Sequence, residues 1–197
     1  MSLRNLPLIL IIVSFTGALA LVATSNPEMA TEPSDGARFT QDNRMLRPDN
    51  YREWVWLSSG FGMSYTPGSV GTDPDFDNVF VNPSAYRSFV ASGKWPDKTV
   101  FALELRRSVN KGSINQNGHY QGELSAVEVH VKDERRFPGK WAFFGFDGSV
   151  KTASMIPTKA ACYSCHQQHG AVDTTFVQFY PTLLDIAKQK GTVRAQY

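Results

Sequence analysis

The only two cysteines in this chain of 197 residues stand three positions apart and are followed at once by a histidine, in the string Ala161-Cys162-Tyr163-Ser164-Cys165-His166. Three chemistries use a C-x-x-C pair. A redox dithiol needs nothing after the second cysteine. A structural zinc needs two further ligands. A covalently attached heme c uses both thiols as thioethers while the next histidine ligates the iron. Only the third employs every residue of the string. Zinc would have donors in Cys162, Cys165, His166 and His169, but the crowding of Cys165, His166 and His169 departs from the two separated ligand pairs of structural sites. The chain is therefore expected to fold around a large flat apolar macrocycle, with Cys162 and Cys165 bonded to it and His166 on the metal. No thiol then remains for a stabilising disulfide.

A heme of this type is attached outside the cytoplasm, so the string demands export. In the first 23 residues a single positive charge, Arg4, precedes a nearly unbroken apolar run, with small residues at Ala18 and Ala20 and again from Ala23 to Ser25 where cleavage can occur. Leu6 to Ala23 also approaches the length of a bilayer-spanning helix, which leaves an uncleaved anchor open. Residues 1–25 are thus expected to be a signal peptide or N-terminal anchor, and either version puts the remainder in the periplasm.

Residues 26–48 are rich in Pro, Ser, Asp and Glu and poor in apolar side chains, and read as a flexible leader. Residues 49–197 are enough for one domain with its own core. Acidic and basic residues nearly cancel to a formal charge of +2, which favours no nucleic-acid or acidic partner.

Within that domain, Tyr51 to Ser59 reads as a short helix stopped by Gly60, with Tyr51, Trp54 and Val55 turned inward. Gly60 to Pro83, punctuated by glycine, proline and aspartate, reads as a long structured loop. Pro83 to Gly93 reads as a second helix, capped by Asn82 or Ser84 and ended by Gly93. The period then changes to two. Thr99 to Arg106 puts Phe101, Leu103 and Leu105 on one face and Val100, Ala102, Glu104 and Arg106 on the other. Leu124 to Val131 sets Val127, Val129 and Val131 against the core and Ala126, Glu128 and His130 opposite. Lys140 to Phe146 supplies a third strand. The expected class is α+β, a β-rich antiparallel sheet with peripheral helices, closed by an aromatic run at Phe176, Phe179 and Tyr180 and a short helix from Pro181.

Five strings together, Tyr51-Arg52-Glu53-Trp54, Asn82-Pro83-Ser84-Ala85-Tyr86, Gly93-Lys94-Trp95-Pro96-Asp97, Val131-Lys132-Asp133 and Cys162-Tyr-Ser-Cys-His166, resemble the cytochrome P460 family from about residue 50 to about residue 180. The resemblance implies an extracytoplasmic, β-rich mono-heme protein, usually a homodimer, with His166 as proximal ligand of a five-coordinate iron. Some such proteins oxidise hydroxylamine; the related cytochrome c′-β proteins bind small gases such as nitric oxide. A hydroxylamine oxidase also needs a redox partner, such as another cytochrome, to take its electrons, and a base to take protons. Glu128 is the expected base, with Glu104 and Glu123 next. Arg106 is a candidate anchor for a heme propionate.

The family's distinguishing bond joins a lysine to the heme edge. The resemblance puts that lysine near Ala102 to Leu105, where this chain has Ala102-Leu103-Glu104-Leu105. Lys98 and Lys111 are the nearest substitutes. Without such a link the pocket resembles that of the gas-binding branch, crowded by Phe101, Phe76 or Phe80. A simple electron carrier would instead close the iron with Met63, Met155, His119, His130 or His169.

Overall fold

The computed structural model describes residues 35–64 and 74–197; the expected signal peptide or anchor at 1–25, and residues 26–34 of the flexible leader arm, lie outside the described residues. The alternation of the central segments becomes three long strands, β4 (Val100–Val109), β5 (Tyr120–Lys132) and β6 (Trp141–Asp147). Two more, β2 (Val55–Phe61) and β3 (Phe76–Val81), extend them into a five-stranded antiparallel sheet in the order β2-β3-β4-β5-β6. A short second ribbon pairs β1 (Met45–Leu46) with β7 (Thr152–Ala153).

Both faces of the sheet are covered, which is why the strands carry apolar residues on either side. On one face Val100, Ala102, Val127, Val129, Val131, Ala142, Phe144 and Phe146 pack against Met45, Tyr51, Trp54 and Phe137. On the other, Leu57, Val81, Phe101 and Trp141 meet Ala85 and Phe89 of α1 (Pro83–Ser92) and Leu183 and Ala187 of α3 (Pro181–Gln189). Each fully buried side chain of the size of Phe89 or Leu183 contributes about 1.5–3 kcal/mol. Helix α1 begins with Pro83 in its first turn and ends where Gly93, at φ 71°, donates its N–H to the Phe89 carbonyl at 2.7 Å.

Three expectations are corrected. Tyr51 to Ser59 is not a helix: a single 3₁₀ turn over Tyr51–Glu53 gives way to β2, because Val55, Trp56 and Ser58 gain ladder partners in β3. The expected loop from Gly60 to Pro83 contains β3 itself. The arm is not loose over residues 35–48: Met45 is fully buried, Phe39 packs edge-on to Phe137 and Phe144, and Asp35 accepts from the N–H and hydroxyl of Ser84 at the start of α1.

Candidate heme-binding cleft

The cysteine string lies on α2 (Ala161–His169), where one turn of 3.6 residues brings Cys162, Cys165, His166 and His169 onto one side. None of the nine residues of α2 is buried, and both cysteines are free thiols, partly exposed. Instead of a packed face, the helix has two fixed points. The Tyr163 hydroxyl donates to the Ile156 carbonyl at 2.9 Å and accepts from the Phe143 N–H at 3.4 Å. At the other end Gly170 donates to the His166 carbonyl at 2.9 Å. A Cβ on Gly170 would lie 2.8 Å from that carbonyl oxygen and 2.8 Å from the Thr175 nitrogen, so only glycine lets the following loop fold back against the helix end.

That fold-back sets the chemistry of His166. Its Nδ1 lies 2.8 Å from the Thr174 carbonyl oxygen. A carbonyl can only accept, so Nδ1 carries the proton and Nε2 keeps the lone pair, the tautomer that a metal requires. Burial holds the imidazole pKa below its ordinary value, outweighing the Thr174 bond that acts the other way, and so favours the neutral, ligating form.

His166 looks into a cleft of about 850 Å³, open mouth included, whose floor is the sheet. The strand register explains which side chains line it. Ser58 pairs with Val79, Val79 with Leu103, and Leu103 with Glu128, so one row across β2 to β5 points the same way. A second row runs from Val81 through Phe101 and His130 to Phe143. Phe176, Phe179 and Tyr180 form a wall beside them. His130 stacks on Phe143 at 4.0 Å and meets His166 edge-on at 4.9 Å. Its Nε2 is buried with no hydrogen-bond partner among the described residues, and burial keeps the ring neutral.

Two carboxyls share this space. Glu128 is open to the cleft, yet the concave walls desolvate it enough to raise its pKa, with Asp147 adding repulsion. Asp77 is raised to about 6, first by burial and then by the charges of Asp75 and Glu128. The folded protein therefore holds the Asp77 proton more tightly than the unfolded chain. The resulting stabilisation is complete below the ordinary value of 3.8 and is lost as pH rises through about 6. Asp77→Asn should raise the melting temperature at pH 8, by roughly 2–4 °C for each kcal/mol relieved, and leave it unchanged at pH 4. Equal shifts at both pH values in thermal melts would contradict this assignment.

The remaining expected site residues lie elsewhere. Arg106 is not a cleft residue: it stands on the opposite face, its Nε 2.7 Å from Glu104 and its Nη1 donating to the Gly122 carbonyl. Glu104 is likewise turned away, fully buried and held by Tyr51, Arg52, Arg106 and Asn78, with hydrogen bonds and cations keeping its pKa low despite burial. Lys111 sits in the β4–β5 hairpin, and Lys98 is paired with Asp133 at 2.6 Å; neither lines the cleft, and no lysine does among the described residues. Of the side chains considered for closing the iron, Met63 and His130 line the cleft, whereas His119 is bound to Ser108 at the hairpin. Phe101 lines it too; Phe80 packs on Tyr51 at the other face, and Phe76 against Phe61. Two contributors were not foreseen. Asp77 lay in the supposed loop, and the Thr174 carbonyl is a backbone atom with no signature in sequence.

The donor set fits a heme c. Two thiols one turn apart stand on a helix with no fully buried residue, next to a neutral imidazole with its Nε2 lone pair available and a buried His130 nitrogen without a partner among the described residues, beside an aromatic-walled cleft of suitable size. A macrocycle bonded to Cys162 and Cys165 would cover the exposed face of α2. No curated protein matches the chain. Residues 48–177 match the family model for cytochrome P460, a span that contains β2 to β6, the cysteine string and the Thr174 carbonyl. The antiparallel sheet, the helix that presents the string and this match together place the chain in the cytochrome P460 family of heme cytochromes.

Proposed function

We propose that this is an exported mono-heme cytochrome that holds heme c through Cys162 and Cys165, ligates its iron with His166 and oxidises hydroxylamine in the cleft. The observation that carries the reading is the sharing of one cleft by His166, with its Nδ1 committed to Thr174, and by Glu128, with a carboxyl that titrates above its ordinary range. When bound, the heme supplies a redox-active iron with a position for a small nitrogenous ligand. The chain supplies the rest. Phe101, Leu103, Val79 and Phe143 wall off water from the ligand. The Glu128 carboxylate takes a proton from the ligand's N–H or O–H. Burial of Asp77, reinforced by repulsion from Asp75 and Glu128, lets that carboxyl keep its proton up to about pH 6. Electrons pass to a redox partner such as another cytochrome. Residues 1–25 serve as signal peptide or anchor, the protein works in the periplasm, and two copies associate as a homodimer. Among the described residues no helix is long and apolar enough to cross a membrane.

A second reading, a nitric oxide or small-gas binder of the cytochrome c′-β kind, is favoured by one observation: Leu103, not a lysine, faces Glu128 across the strand pair, and among the described residues no lysine lines the cleft. The heme peptide released by proteolysis is therefore expected to be joined through Cys162 and Cys165 alone, as read by its mass. A third bond to Lys98 or Lys111 would overturn this. Turnover then separates the two functions: hydroxylamine consumption with a cytochrome-type acceptor supports the oxidase, while tight nitric oxide binding without consumption supports the gas binder.

A further inference from the structure

Two of the strings that mark this sequence, Gly93-Lys94-Trp95-Pro96-Asp97 and Val131-Lys132-Asp133, place neither Trp95 nor Lys132 in the cleft lining. Both residues nevertheless converge on the loop that carries Thr174. The buried Trp95 donates its indole N–H to the Thr175 hydroxyl at 2.8 Å. Its carbonyl accepts from the Lys132 ammonium at 2.9 Å, and the same ammonium pairs with the Asp173 carboxylate at 3.0 Å. Lys132 is itself buried, with only 8% of its surface exposed, and its charge lies over the Trp141 ring. A lysine in such surroundings is costly unless its partners are well placed.

The loop is tied on both sides of one residue. Thr175 donates its hydroxyl to the Val172 carbonyl at 2.7 Å and its N–H to the same carbonyl at 3.0 Å, while Ala171 donates to the Thr175 carbonyl at 2.9 Å. Asp173 takes a left-handed φ of 56°, the turn that swings the next carbonyl toward α2. Between the anchored residues 173 and 175, Thr174 offers its carbonyl to His166.

We infer that Trp95 and Lys132 are positioning residues for the proximal histidine: by holding Thr175 and Asp173 they aim the Thr174 carbonyl at Nδ1 of His166 and set how strongly its Nε2 donates. The inference rests on His166 being the iron ligand. A firm Nδ1–H bond makes the imidazole a stronger donor, which stabilises the oxidised metal. Releasing the carbonyl weakens that donation whichever anchor is cut.

The test uses the full-length heme-loaded protein and reads the ferrous iron–histidine stretching band and the reduction potential. Asp173→Asn tolerates the left-handed φ and removes only the charge; Thr175→Val removes the tryptophan's acceptor. Both should lower the band frequency and shift the reduction equilibrium about tenfold toward the ferrous form, which is 59 mV for one electron. Lys132→Met should move both readouts the same way, and Lys132→Arg, which keeps a charged donor, should restore them at least in part. Because Asp173→Asn and Thr175→Val leave the buried lysine in place, they carry the test even if Lys132→Met does not fold. Folded variants with an unchanged band and potential overturn the inference. Opposite potential shifts for Asp173→Asn and Lys132→Met overturn it too, since they would mean that the pair acts through its charges and not through the carbonyl. Survival of the band in His166→Ala would instead sink the ligand assignment on which the inference rests, a different result.

Discussion

His166→Ala should leave one heme on every chain and remove its iron–nitrogen bond on the α2 side. The two roles separate because they reside in different atoms. On the proposed assignment, attachment depends on the thiols of Cys162 and Cys165, which the substitution does not touch, and ligation on the Nε2 lone pair that the Thr174 bond leaves available. Alanine is also a good helix former, and Tyr163 and Gly170 keep the two anchoring hydrogen bonds of α2, so the helix itself should persist. Mass measurement of the denatured variant should therefore match the unmodified protein less an imidazole, heme included. The ferrous iron–histidine band should be lost completely. Heme that washes out of the variant would mean that the thioethers are absent; a band that persists would hand the ligand role to His130 or His169.

Glu128→Gln should preserve the heme spectrum and slow hydroxylamine oxidation by roughly 10²-fold or more, the scale of a lost positioned base. The substitution keeps size and hydrogen-bonding reach while removing the proton acceptor. Glu128 lines the cleft through strand register, with Leu103 and Gly145 as its cross-strand partners, and its charge meets only repulsion, from Asp147 and Asp77, among the charge effects resolved for it. The rate in the unmodified protein should also rise with pH as the Glu128 carboxyl ionises above its ordinary range, and this limb should vanish in the variant. Turnover that is unchanged across pH would remove Glu128 from the mechanism and leave Asp77 as the carboxyl to replace next.

The strands that were legible in sequence are those whose alternation is strict. β4, β5 and β6 each put branched or aromatic side chains at every second position, and Val100, Val127, Val129, Val131, Phe144 and Phe146 share one core face. β2 was misread because Tyr51, Trp54, Val55 and Ser58 satisfy a helical period equally well over so short a run. β3 was hidden because Asp77 and Asn78, poor strand formers, interrupt it, and what overrides them is cross-strand pairing with Gly60, Ser59 and Glu104. At the site, the cysteine string and the Glu128–His130 face could be read directly. Arg106 could not be excluded, since alternation assigns it to a face without saying which face the cofactor meets. Thr174 was beyond reach because its contribution is a peptide carbonyl, and any residue at 174 would supply one.

The five-stranded sheet runs in sequence order, each strand pairing with its neighbour along the chain, and the cysteine string follows it on a helix that buries no side chain. Nearest-neighbour pairing keeps the strand contacts comparatively local, while the face that meets Leu183 and Ala187 is covered only by the later chain. The thiols meanwhile stay at the surface. On the proposed attachment, Cys162 and Cys165 are therefore within reach from outside the folded sheet, and bonding them does not require its strands to part.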